Sequence, residues 1–175
     1  MKYILVLILI LNMNNEFKLD FGTNEIQEGW QVVNDGVMGG LSRGKIEYGE
    51  SALKFSGTLS LKNNGGFSWA QYDLQNTLDG NENHFKMRIR TDDHEYSLTA
   101  RIANERNYHF ESEAICTNGE WQEITIATAS MIKTWRGRTF DEYLDMSTEM
   151  SEIGLILKDK KEGPFAVEID WILIN

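Results

Sequence analysis

The sequence predicts an all-β sandwich or jelly roll built as one domain. Short runs alternate apolar and polar residues, the period of strands with one face in a core and the other in water. Clusters of Asn, Asp and Gly separate these runs, as tight turns require. Helical periodicity is sparse, and no proline-rich linker, internal repeat or low-complexity tract divides the 175 residues. That length suits one well-buried core.

In chain order, residues 3–11 form an unbroken apolar run behind Lys2, followed by Asn12, Met13, Asn14 and Asn15. The run is too short to span a bilayer. Its basic start and apolar centre mark residues 1–15 as a candidate signal or targeting segment for export or membrane association, although no A-x-A-like cleavage site follows. The sandwich is expected over residues 16–175, with folding starting near Phe17. Leu53, Phe55, Leu59 and Leu61 predict one strand face, with Gly57 between them; Phe85, Met87 and Ile89 predict another, backed by Lys86, Arg88 and Arg90. Tyr96, Leu98, Ala100 and Ile102 predict a third, and Phe165, Val167, Ile169, Trp171 and Leu173 a last. Turns are marked at 63–66, 79–81, 91–93, 118–119 and 162–164. One or two helical turns are expected within residues 141–150, with Ser147 and Thr148 as caps.

The formal charge of -10 repels nucleic-acid phosphates, and no basic run offsets it, so a nucleic-acid partner is excluded. No integral membrane span is predicted. One cysteine, Cys116, excludes an internal disulfide and a cysteine-based zinc cluster; it is expected as a small buried apolar residue. His84, His94 and His109 lie on three segments without metal-ligand spacing. The Glu111/Glu113 pair is uninformative in so acidic a chain, and Ser42 and Ser68 lack a nucleophile elbow. No catalytic residue, metal or cofactor is assigned, and the chain is expected not to be an enzyme. Arg88, Arg90 and Arg101 point away from the core. On neighbouring strands they would line a groove for a sugar or a peptide carboxylate; the alternative is cross-strand pairing with Glu and Asp.

Residues 34–42 read Asn-Asp-Gly-Val-Met-Gly-Gly-Leu-Ser, and residues 39–45 approach a phosphate-binding loop. Such a loop needs Ser or Thr after its Gly-Lys, and a helix beyond it whose N-terminus faces the phosphate. Here Ile46 takes the hydroxyl's place and a strand-like run follows. The segment is therefore an ordered loop, with Asn34 and Asp35 bonding backbone and Gly36, Gly39, Gly40 and Gly44 allowing positive φ or close approach. Val37 and Met38 are expected to tuck beneath it as an anchor, with Trp30 as the floor.

Residues 30–42 together resemble the signature of the complex I intermediate-associated protein 30 family. The resemblance continues through residues 55–61 and 63–68, Gly119-Glu120-Trp121, Trp135-Arg136-Gly137-Arg138, residues 153–155 and 159–160, and residues 163–165 and 168–172. These blocks keep the family's order and cover nearly the whole chain after the N-terminal run. The resemblance implies a galactose-binding-like β-sandwich of the bacterial single-domain type. Because the mitochondrial members are assembly chaperones for respiratory complex I, it also implies a protein partner among the intermediates of a respiratory or other membrane complex. A carbohydrate-binding module, with a glycan as ligand, is the alternative. The family supplies no catalytic residue. Residues 124–129 lack the proline and phenylalanine often found there, and the N-terminal run is apolar rather than the Arg- and Ser-rich sequence of a mitochondrial presequence. Three loops are expected to meet at one end of the sandwich. Trp30, Asn34, Asp35, Met38, Phe67, Arg136 and Arg138 would be the binding residues, on a scaffold of Gly36, Gly39, Gly40, Gly65 and Gly66.

Overall fold

The computed structural model describes residues 16–22, 29–78, 83–103, 105, 107–145 and 149–175. The candidate signal segment at 1–15, the turn at 79–81 and the expected caps Ser147 and Thr148 lie outside these residues. The strands are β1 (Phe17–Asp20), β2 (Trp30–Asn34), β3 (Arg43–Tyr48), β4 (Leu53–Leu59), β5 (Ser68–Leu78), β6 (His84–Thr91) and β7 (Tyr96–Ile102). They continue as β8 (His109–Glu111), β9 (Gln122–Ala127), β10 (Ile132–Trp135), β11 (Arg138–Tyr143), β12 (Met150–Leu157) and β13 (Gly163–Ile174).

Two antiparallel sheets result. The six-stranded sheet runs β3-β4-β13-β6-β9, and β1 pairs with the second half of β13 beyond the end of β4. The seven-stranded sheet runs β11-β10-β8-β7-β12-β5-β2. Their inner faces meet as a sandwich: Leu53, Phe55, Phe85, Met87, Ile89, Val167 and Ile172 from one side, and Ala70, Tyr96, Leu98, Ala100, Ile153, Leu155 and Leu157 from the other, are all buried. Phe55 meets Phe165 edge-on at 5.1 Å between ring centres. Burial, with the negative charge of nearby Asp92, pushes the Tyr96 phenol far above its usual range, and its hydroxyl donates to Asp92 Oδ1 (3.1 Å).

The alternation holds except where the chain shifts register. In β13 a bulge between Ile169 and Trp171 inserts one residue against β6. One extra residue flips every later side chain, so Ile172 and Ile174 are buried and the expected inward pair Trp171 and Leu173 is only half-buried. Leu61 lies past the end of β4 and is exposed, not on the core face. Among the described residues of 141–150 no helical turn forms: Asp141, Glu142 and Tyr143 end β11 and Met150 opens β12. Cys116 is exposed rather than buried, because its neighbours Ile115 and Thr117 take the inward positions.

The outer face of the six-stranded sheet settles two of the three arginines. Arg88 pairs with Asp170 and Arg90 with Glu168, while both guanidinium groups stack over Trp121 at 4.8 and 4.9 Å from the ring centre. Both arginines are more than a third exposed, so each pair is screened by water and salt. Arg88→Met or Arg90→Met is therefore expected to cost about 1 kcal/mol or less in urea unfolding.

Candidate functional site

Two loops cross between the sheets at one end of the sandwich. Residues 35–42 lead from β2 to β3, and residues 60–67 from β4 to β5. Asp35 clasps them together. Its fully buried carboxylate accepts the Ser42 N–H (2.9 Å), the Ser42 hydroxyl (2.5 Å), the Gly66 N–H (2.6 Å) and the Phe67 N–H (3.4 Å). Burial by itself would raise this carboxyl, but the Ser42 hydroxyl and the three backbone donors outweigh it and hold the group below the usual range. Asn34 seals the adjoining seam, its Oδ1 accepting from Gly44 N–H (2.9 Å) and Ser68 Oγ (2.7 Å).

The glycines make this approach possible. A Cβ on Gly40 would stand 2.3 Å from Asp35 Cγ, and one on Gly65 would stand 2.6 Å from Asp35 Oδ2. Gly39, at φ 88°, closes the 3₁₀ turn over Asp35–Met38. Gly66 is also left-handed at φ 114°, whereas Gly36 faces open space. A backbone packed this tightly has no room beneath it, so Val37 and Met38 point outward, 74% and 63% exposed, and do not form the expected anchor. Phe67 is half-buried. Trp30 is not the floor either: it sits at the far end of β2, in the core, against Phe21 and Tyr72.

The third loop is elsewhere. Asn34 lies opposite Ser68, and Leu157 lies opposite both Ser68 and Tyr96, which marks the tip end of the seven-stranded sheet. From there β10 runs away, Ile132 opposite Glu111 and Thr134 opposite His109. Its hairpin turn therefore lies at the opposite end, on the edge farthest from β2. Arg136 and Gly137 take φ 49° and 78°, as a type I′ hairpin requires, and Arg136 stacks on its own neighbour Trp135. Arg136 and Arg138 are exposed, but they share no patch with Met38.

The outer face of the seven-stranded sheet carries the side-chain cluster that sequence reasoning missed. Register places Thr99 beside Gly154 and Glu111, Glu152 beside Arg101, and Gln71 beside Gly154. Trp69 lies across Gly154, where a Cβ would meet the indole Nε1 at 2.8 Å, and Nε1 donates to Thr99 Oγ1 (3.0 Å). The Arg101 guanidinium stands 5.4 Å over the Trp69 ring and donates to Glu152 (2.7 Å), whose other oxygen accepts from Gln71 (3.0 Å). His109 packs against Trp69 (4.6 Å) and is bonded through Nε2 to Glu111 (2.7 Å), which Lys158 holds from the other side.

Arg101 is thus on this sheet, apart from Arg88 and Arg90, and the three arginines line no common groove. All three make the cross-strand acid pairs weighed as the alternative. The two carboxylates of the cluster differ. Burial would raise Glu111, but His109 and Lys158 bring it below the usual range. For Glu152 burial wins, opposed by Arg101 and reinforced by Asp73, and its carboxyl is raised. Elsewhere Asp92, Asp93 and His94 cluster at the β6–β7 turn. Asp92 there accepts from His94 N–H, Tyr96 OH and Ala166 N–H, and the His94 ring is held between Asp159 and the Pro164 carbonyl. These contacts tie the turn to β13.

A family model of complex I intermediate-associated protein 30 matches residues 19–169. The chain belongs to that family. Among solved structures, this family member resembles the family 11 carbohydrate-binding module of a cellulosomal cellulase of Clostridium thermocellum, at 19% identity and TM-score 0.66, over 91% of this chain and 94% of that one. The same module in complex with a β-1,3-1,4-mixed-linked tetrasaccharide gives 18% identity and TM-score 0.62 over the same shares. An agarase gives 13% identity and TM-score 0.62, over 91% of this chain and 24% of that one. At these identities the likeness establishes the β-sandwich fold, in keeping with a galactose-binding-like domain. Among the described residues no helix is long and apolar enough to cross a membrane.

Proposed function

We propose that this family member is a non-enzymatic binding module with an assembly-factor role. It holds protein intermediates of a respiratory or other membrane complex on the outer face of its seven-stranded sheet. The observation that carries this reading is the half-buried Trp69, set against Gly154 beneath Arg101. Trp and Arg are the side chains that most often dominate protein interfaces, and here both are locked by neighbours before any partner arrives, which lowers the ordering cost of binding. Family membership supports a protein as the ligand. A second reading, carbohydrate binding, is favoured by the same face: Trp69 under Arg101, the polar groups of Gln71, Thr99 and Glu152, and exposed Tyr143 on the strand paired to β10 offer aromatic contact and hydrogen bonds together.

The test is a crosslinked pull-down of tagged full-length protein from its native cell in detergent, beside a glycan-binding panel, each repeated with Trp69→Ala. Respiratory-complex subunits enriched by the wild type and lost by the variant support the first reading. Glycan binding lost by the variant supports the second. Partners that Trp69→Ala retains in full would remove this face from both.

A further inference from the structure

We infer that the tip formed by residues 35–43 and 60–67 docks on an anionic lipid bilayer surface. This inference goes beyond the proposed function and does not depend on the open sheet face. The tip is built inside out. Its one carboxylate, Asp35, is fully buried and Ser42 is 5% exposed, while Val37, Met38, Leu41 and Leu61 are 74%, 63%, 51% and 39% exposed. Those four account for most of the large apolar side chains exposed among the described residues, which otherwise are Tyr48 and Tyr143.

They are also close neighbours. Ser60 N–H donates to Ser42 Oγ (3.0 Å), which sets Leu41 beside Leu61, and Asn63 Nδ2 donates to the Gly39 carbonyl (3.2 Å). The Asp35 clasp holds the loops in place, so the apolar side chains cannot fold under.

Charge complementarity selects the occupant. In a chain of net charge -10, these two loops carry Arg43 and Lys62 and no exposed carboxylate. Lys160 adds a third cation, reaching the Gly65 and Gly66 carbonyls at 3.4 Å. Beyond the two loops this end also carries acids: Glu162 is bonded to Ser60 Oγ (3.2 Å), and exposed Asp93 and Glu95 lie on the β6–β7 turn, Asp93 beside Lys161 (4.0 Å). Aliphatic side chains on two fixed loops whose own exposed charges are cations match the apolar boundary and anionic headgroups of a leaflet. The acidic remainder is repelled by the same headgroups, which leaves the tip as the orientation of approach.

The experiment is vesicle co-sedimentation of the full chain, with phosphatidylcholine alone or with roughly one-third phosphatidylglycerol. Wild type is compared with Met38→Asp and Lys62→Ala, after thermal melts establish that both variants are folded. Residues 1–15 are common to all three proteins, so the comparison isolates the tip. Expected results are a loss of partition into anionic vesicles of about tenfold for Met38→Asp and about fivefold for Lys62→Ala, with weaker binding at high salt and to phosphatidylcholine alone. Equal sedimentation of the three proteins overturns the inference. So does unchanged sedimentation together with a protein crosslink that Met38→Asp abolishes, which would assign the tip to a protein instead. Neither result bears on Trp69, which is read in detergent without vesicles.

Discussion

Asp35→Asn is expected to lower unfolding stability by about 3 kcal/mol, the largest effect of any polar substitution at the tip. The wild-type carboxylate is an acceptor of four hydrogen bonds in a fully buried position. Asparagine keeps one oxygen and turns an NH₂ group towards donors, leaving Ser42, Gly66 or Phe67 N–H groups unpaired. At about 2–4 °C per kcal/mol for a domain of this size, the melting temperature drops by roughly 6–12 °C. The pH dependence follows from the lowered carboxyl. A folded value below the unfolded one, about 3.9, makes the contribution complete above that value and drains it as pH falls through the folded value. Wild type should therefore lose stability below about pH 4 faster than Asp35→Asn does. Urea midpoints at pH 7 and pH 3 measure both effects. A difference under about 1 kcal/mol at pH 7 would mean that the clasp is replaceable. Met38→Ala is the control, because an exposed side chain should shift stability by no more than about 0.5 kcal/mol.

Trp69→Ala should weaken ligand binding on the open sheet face by about thirtyfold, the scale of a dominant interface side chain. The indole carries the apolar contact of the cluster, and its loss also leaves Arg101 without the ring beneath it. Stability should fall by about 2 kcal/mol, less than for a fully buried Trp, because the ring is half-exposed to begin with. Glu152→Gln separates function from stability at the same place. The Glu152 carboxyl is raised by burial, so the folded state takes up its proton more readily than the unfolded chain. Its contribution is most favourable below the ordinary glutamate value and is lost as pH rises through the folded value. At pH 7 the charge is a cost, and Glu152→Gln should leave stability unchanged or higher. Ligand affinity should still fall by about tenfold, since Arg101 loses the carboxylate that aims it. Denaturation and binding titrations on one preparation decide this. A parallel fall in both would make Glu152 structural.

Part of this site was legible in the residues themselves. The Asn-Asp-Gly run announced an ordered loop, and one of its glycines, Gly40, lies where the chain presses on Asp35. The direction of Val37 and Met38 was not legible, because the space under a loop depends on what the other loop brings, here Gly65 and Gly66. The open-face cluster was hidden for a related reason. Trp69, Thr99, Glu111 and Glu152 lie far apart in the chain, and that separation gives no sign that β5, β12, β7 and β8 lie side by side.

The sequence by itself determined that this protein is one β-sandwich and which family it belongs to. Period-2 alternation and turn residues are local properties, and a shared fold needs little more than a consistent set of them. The tertiary structure decided the rest: the bulge that turned Trp171 and Leu173 out of the core, the distance between the Arg136 turn and the Met38 tip, and the meeting of Trp69 with Arg101 and His109. Each depends on strand order and register, which arise from long-range pairing and packing between segments, and no single segment carries that information.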